Sequence, residues 1–253
     1  MLNELLDDLR AEHDELTSIV LRADLDLPVP AEPWTVRDTA SHLMVGDAKG
    51  LLAASDAEAF LAELPEVFAD PAGFLDQWLV AGEGLSNEEV VAQWHQGFDE
   101  MVAAFAVVPA GTKVPWYGPP MSPLSFATAR LMEYWAHGQD VVDALGARRT
   151  PTARLRHIAH LGVRTRGFSY AVRGKGVPEG EVRVTLSAPD GSTWEWGSGP
   201  DAVVGTAEDF CLRVTQRRHR DDTALVTTGP LADDWMDNAQ CFAGLPTDGR
   251  PPR

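Results

Sequence analysis

Cysteine is scarce in this chain of 253 residues: only Cys211 and Cys241 occur, far apart in sequence. That excludes a disulfide scaffold and a paired-cysteine zinc motif, and both thiols are expected to be reduced and structural. Positive charge is sparse too, with 21 Lys and Arg against 38 Asp and Glu, a formal charge of -17 and a pI near 4.7. Nucleic-acid surfaces need clustered cations, and anionic membranes repel this sign, so neither partner is expected. Long apolar runs are missing: no window approaches the ~18 apolar residues of a membrane span. The start, Met1 to Asp8, is acidic and amphipathic where a signal peptide is basic and then apolar. A cytoplasmic protein is the expectation. No internal repeat or low-complexity tract is evident.

What is present suits a globular core: 44% hydrophobic residues and eight tryptophans. The length allows one large domain or two modest ones. The few basic residues gather in islands at Arg148, Arg149, Arg154 and Arg156, at Arg164, Arg166 and Arg173, and at Arg213, Arg217, Arg218, His219 and Arg220. Each island reads either as a solvated helix face or as a receiver for a small carboxylate ligand.

Leu2, Leu5, Leu6, Leu9, His13, Leu16 and Val20 recur at helical spacing and predict a first amphipathic helix. Thr35 and Asp38 have capping-box spacing, with Trp34 as a staple residue, so a second helix runs through His42 to about Ala54. The stretch from Asp56 to Leu85 reads as loops with short helical pieces. Val90, Trp94, Phe98, Met101 and Phe105 restore a helix, closed by Pro109 to Gly111. A shaped loop rich in Gly, Pro and aromatics follows. Ser122 caps the next helix with Pro123 at its first position, and Gly146 fits its end. A further helix is expected from Thr150 to about Val172.

Beyond Gly174 the pattern changes. Val182, Val184 and Leu186 alternate, Pro189 to Ser192 makes a turn, and Trp194 and Trp196 alternate again, which predicts a β-hairpin. An apolar run at 202–205 precedes a helix capped by Thr206, and a last helix spans about Leu231 to Phe242. The predicted organisation is a helical domain over 1–173 and a small α+β domain over 174–253.

Glu133 and His137 stand four residues apart, about one helical turn on a shared face, and His42 lies in a separate helical stretch. Leu124, Ala127, Leu131, Trp135, Val142 and Leu145 form an apolar stripe on the opposite side of the motif helix, while small residues flank Glu133, His137 and Asp140. That front suits a bundle helix bordering a pocket. Spacing alone leaves three readings open: metal ligation, an exposed Glu-His pair, or a buried hydrogen-bonded histidine. Asp38 or Asp140 is placed to orient an imidazole.

Trp34, Thr35, Asp38 and Ser41-His42-Leu43, followed by Trp116-Tyr117-Gly118, Met121-Ser122 and the run Arg130 to Asp140, resemble the amino-terminal domain of mycothiol-dependent maleylpyruvate isomerases, within the DinB-like metal-binding superfamily. The resemblance covers about the first two-thirds of the chain. It implies a mainly α protein, a DinB-like four-helix bundle followed by a small α+β sterol-carrier-like domain, with His42, Glu133 and His137 holding a divalent ion, usually zinc. It further implies a substrate-binding arginine in the second domain, for which Arg217 and Arg218 are the candidates. Trp116 and Tyr117 are candidates to wall the cosubstrate pocket, the alternative being plain packing beneath a loop.

Two imidazoles and a carboxylate leave a coordination position open, the mark of a catalytic zinc site; the same donors suit iron, and nickel is compatible. A thiol cosubstrate, mycothiol under the resemblance, would serve as nucleophile toward a small electrophilic substrate. In the resembling isomerases the thiol adds to an activated double bond, the adduct rotates, and the thiol leaves; related members transfer the thiol irreversibly. Metal-assisted hydrolysis without a thiol, and a ligand-binding protein with a structural metal, are the alternatives. Oligomeric state is not legible.

Overall fold

The structure, a computed structural model, describes residues 1–252. The chain forms two compact units, Met1–Arg148 and Arg149–Arg253. In the first, α1 (Leu2–Val20), α2 (Val36–Ser55), α5 (Asn87–Val107) and α6 (Pro123–Ala144) make the four-helix bundle, and α3 (Ala57–Ala69) and α4 (Pro71–Leu79) pack on α2. Leu5, Leu9, Leu16, Leu43, Phe98, Val102 and Leu131 fill its core. Phe105 and Phe126 stack with ring centres 4.1 Å apart. The apolar faces of α1 and α5 both turn into the bundle, α1 packing chiefly on α6 and α5 on α2.

Where loops with short helical pieces were expected between 56 and 85, two regular helices stand, Ala57–Ala69 and Pro71–Leu79. Each begins on an aspartate: Asp56 accepts from Ala59 N at 3.0 Å, and Asp70 accepts from Gly73 N at 3.0 Å, with Pro71 in the first turn. Local capping outweighs the irregular apolar pattern here. A short 3-10 turn at Val80–Gly82 follows α4.

The second unit holds α7 (Leu155–Arg164), α8 (Arg166–Ala171), β1 (Val182–Ser187), β2 (Thr193–Trp196), β3 (Asp201–Thr206), α9 (Ala207–Val214), β4 (Val226–Thr228) and α10 (Pro230–Asn238). The sheet order is β2-β1-β3-β4. The expected hairpin pairs Val184 with Trp196 and Leu186 with Trp194. β3 then runs parallel to β1 on its other side. At Gly199 an added Cβ would lie 1.7 Å from Glu181 O, so only glycine lets the returning chain pass the start of β1.

Three expectations shift. The helix foreseen from Thr150 begins at Leu155, after a turn closed by Leu155 N to Thr152 O, and breaks at Thr165, whose hydroxyl donates back to Leu161 O at 2.8 Å. The last helix stops at Asn238, short of Phe242. Finally, α7 and α8 belong with the second unit, so the division falls at 148 and differs from the expected 173. The cause is long-range packing: α7 buries Leu155, Ile158 and Ala159 and lies so close to α9 that a Cβ on Gly162 would meet Val214 at 2.9 Å. No helix among the described residues is long and apolar enough to cross a membrane.

Candidate metal centre

The capping box at the start of α2 forms as predicted: Thr35 Oγ1 accepts from Asp38 N, and Asp38 accepts from Thr35 N at 2.8 Å. This sets where α2 begins, and His42 follows two turns in. Asp38 is therefore committed to the cap, and the carboxylate that orients an imidazole is Asp140, with Oδ2 3.3 Å from His137 Nδ1. On α6, Ser122 caps as expected, accepting from Ser125 N at 3.1 Å, and the helix is buried along both flanks from Leu131 to Val142 apart from Glu133. The polar side of the motif helix faces protein, not solvent.

His42, Glu133 and His137 converge, their donor atoms all within 4.8 Å of one another. His42 Nε2 lies 3.6 Å and His137 Nε2 3.4 Å from the same oxygen, Glu133 Oε2. Donors about 2.0–2.1 Å from a tetrahedral zinc sit roughly 3.3–3.4 Å from each other, so these separations are close to the edges of such a tetrahedron and long for hydrogen bonds. The residues fit a divalent ion. By contrast His13, Asp14 and His95 also approach within 4.8 Å, but His13 Nε2 and His95 Nδ1 are 2.8 Å apart, hydrogen-bonding distance.

Burial pushes the His42 imidazole down to about 4, the opposing pull of Glu133 being smaller, so it is neutral and able to coordinate near neutral pH. Burial alone would raise Glu133, but His137 and His42 outweigh it and hold the carboxyl well below its ordinary range. An anionic donor between two imidazoles results. His42 Nδ1 is buried without a hydrogen-bond partner.

Aromatic rings frame the centre. Trp34 stacks on His137 at 5.5 Å and tilts against His42 at 5.0 Å, and Trp78 meets His42 at 5.5 Å. Trp34 thus acts on the imidazoles, beyond the staple role its position suggested. Arg37 on α2 donates to Gly82 O and Leu85 O, both at 2.8 Å, and Gly82 N donates to Ser41 Oγ, which pins the turn after Trp78. Tyr117 packs one ring further out, 6.0 Å from Trp78, while Trp116 stacks on Phe60 and lies edge-on to Phe126. Arg217 and Arg218 belong to the second unit, where they donate to the carbonyls of Thr215 and Arg217 at 2.7 Å.

Behind the centre runs a buried polar network that sequence reasoning missed. Asp47 on α2 pairs with Arg130 on α6 at 2.8 Å and accepts from Tyr134 Oη and from Trp94 Nε1 on α5, while Tyr134 Oη contacts His13 Nδ1 on α1 at 3.2 Å. All four bundle helices contribute. Gly46 makes room: a Cβ there would stand 2.7 Å from Arg130 Nη1. The one available signal was His13 within the apolar stripe of α1.

Residues 6–142 match the family model described as the mycothiol maleylpyruvate isomerase N-terminal domain. The chain is 43% identical over 248 residues to an uncharacterized protein of Mycobacterium tuberculosis, in strain CDC 1551 / Oshkosh and in strain H37Rv alike, with 96% of both chains covered. The crystal structure of the mycothiol-dependent maleylpyruvate isomerase shares the fold with a TM-score of 0.56 at 15% identity, covering 92% of this chain and 96% of that one. A histidine-to-alanine variant of that enzyme gives 0.55 at 16% over the same shares.

Proposed function

The chain belongs to the mycothiol maleylpyruvate isomerase N-terminal domain family, and we propose from that membership that it is a metal-dependent enzyme of the isomerase or S-transferase type, using mycothiol on a small electrophilic substrate. The observation that carries the reading is the convergence of His42, Glu133 and His137, with the imidazole Nε2 atoms 3.6 and 3.4 Å from Glu133 Oε2 and all donors within 4.8 Å of one another. A divalent ion held there, zinc by preference of the donors and iron or nickel by compatibility, would supply Lewis-acid activation of a thiol near neutral pH.

The remaining work falls to the chain. Asp140 fixes the His137 ring so that Nε2 turns toward Glu133. Neutral His42 and ionised Glu133 keep the donor set ready without prior proton loss. Trp34 and Trp78 shield both imidazoles from water. Tyr117, one ring out, belongs to the wall of the cosubstrate pocket, with Trp116 beside it. Arg217 or Arg218 is assigned to a substrate carboxylate. Nucleic acid and membranes are not among the proposed partners.

The test is metal analysis of untagged protein together with a turnover assay with and without mycothiol. Stoichiometric zinc, lost in His42→Ala and in His137→Ala, and turnover only with thiol are the expected results. Intact metal content in both variants would overturn the centre; turnover without any thiol would replace the reading by metal-assisted hydrolysis.

A further inference from the structure

On the side of α2 that carries α3 and α4, the first unit has a cavity of about 390 Å³, half open to solvent, lined by Lys49, Glu63, Glu66, Asp70, Phe74 and Gln77. That volume falls at the small end of the ~300–1,000 Å³ typical of small-molecule pockets. Its position relative to the metal centre is set by one helix. Lys49 follows His42 by two turns on the same face of α2, roughly 10 Å along at ~1.5 Å per residue. The aromatic wall is continuous over the same span: His42 meets Trp78 at 5.5 Å, and Trp78 meets Phe74 at 5.7 Å.

The lining has a definite chemistry. Lys49 is paired with Glu63 at 2.6 Å, so Glu66 and Asp70 leave the cavity net negative. A dicarboxylate is repelled by that field. Hydroxyl groups are not, because carboxylates accept from them and the Gln77 amide both donates and accepts. Phe74 offers a ring face to the C–H side of a saturated ring. Behind Phe74 stand the rings of Trp78, only 7% exposed, and of Tyr117, whose Nε1 and Oη respectively are buried without a hydrogen-bond partner. Burial first and the charge of Glu63 second push the Tyr117 phenol up, so it stays a donor. Neither residue lines the cavity, so the two rings serve as the backing that holds Phe74 in place.

We propose that this cavity holds the hydroxyl-rich, sulfur-free part of the thiol cosubstrate, an amino sugar joined to a cyclitol, while the sulfur-bearing end runs along α2 to His42. The assignment rests on the thiol reading above. It makes Phe74, Glu66 and Gln77 the residues that distinguish this thiol from smaller ones.

Isothermal titration calorimetry of the zinc-loaded full chain tests it with three probes: mycothiol, N-acetylcysteine, and the thiol-free N-acetylglucosaminyl-inositol fragment. Phe74→Ala, and the exposed and milder Gln77→Ala should Phe74→Ala fail to fold, are expected to weaken mycothiol and the fragment at least tenfold and leave N-acetylcysteine unchanged. His42→Ala is expected to weaken both thiols and spare the fragment. Wild-type mycothiol affinity in a folded Phe74→Ala or in Gln77→Ala overturns the cavity assignment and leaves the thiol reading standing. Fragment binding that depends on Phe74, without binding of either thiol, upholds the cavity as a polyol site and removes the thiol reading instead.

Discussion

His137 Nδ1 faces Asp140 Oδ2 at 3.3 Å, one turn further along α6, and the Asp140 carboxylate is completely buried. The contact directs the other ring nitrogen of His137 to Glu133. Asp140→Asn keeps the size and loses the charge, so metal affinity is expected to fall about 10–100-fold with the fold retained. Competition with a chelator of known affinity measures this, and an unchanged constant would remove Asp140 from the centre.

The Asp47–Arg130 pair is buried at both ends, with side-chain exposures of 0% and 5%. Removing one partner leaves the other charge unpaired among Trp94, Tyr134 and Leu43. Arg130→Met is therefore expected to cost about 3–5 kcal/mol, whereas the double variant with Asp47→Leu recovers much of that loss. Urea denaturation of the two variants decides it; a double variant less stable than Arg130→Met contradicts the argument.

His13 gives the bundle a pH dependence. Burial first and the neighbouring His95 second hold its imidazole down to about 3. The unfolded chain takes up a proton below about 6.5, and the folded bundle does not until near 3, so stability present above 6.5 is lost as pH falls through that window. At pH 5 the loss is about 2 kcal/mol relative to neutral pH. The difference in urea midpoint between pH 7 and pH 5 is expected to shrink in His13→Gln; an equal difference in both proteins would exclude His13 as the cause.

Thr35→Ala removes the hydroxyl that accepts from Asp38 N at 3.3 Å, at an expected cost of about 1 kcal/mol. Because His42 lies two turns beyond the cap, fraying there also loosens the centre. Metal affinity is expected to drop along with stability, and a stability loss at constant affinity would show that His42 is held by packing alone.

Much of the first unit was legible because its signals are local. Apolar residues at helical spacing in α1 and α5, the Thr35/Asp38 box and the Ser122-Pro123 start each lie within a turn or two of chain. The short helices α3 and α4 carry equally local caps at Asp56 and Asp70. Their sparse burial, Phe60 and Val67 in α3 and Trp78 in α4, leaves no clean apolar stripe by which a helical period would show. The trio His42, Glu133 and His137 was legible only by resemblance, since an i,i+4 carboxylate and imidazole have several ordinary explanations.

By itself, then, the sequence determined the long helices of the first unit, where most of them start, and the hairpin of the second. Tertiary structure alone decided the rest. Asp47, Trp94, Arg130, Tyr134 and His13 come from four helices, and nothing in their spacing along the chain announces that they meet. The same holds for Trp34 over His137 and for α7 joining the second unit. Local propensity acts over a few residues, whereas desolvation and charge pairing depend on which surfaces end up face to face, and that is a property of the packed bundle.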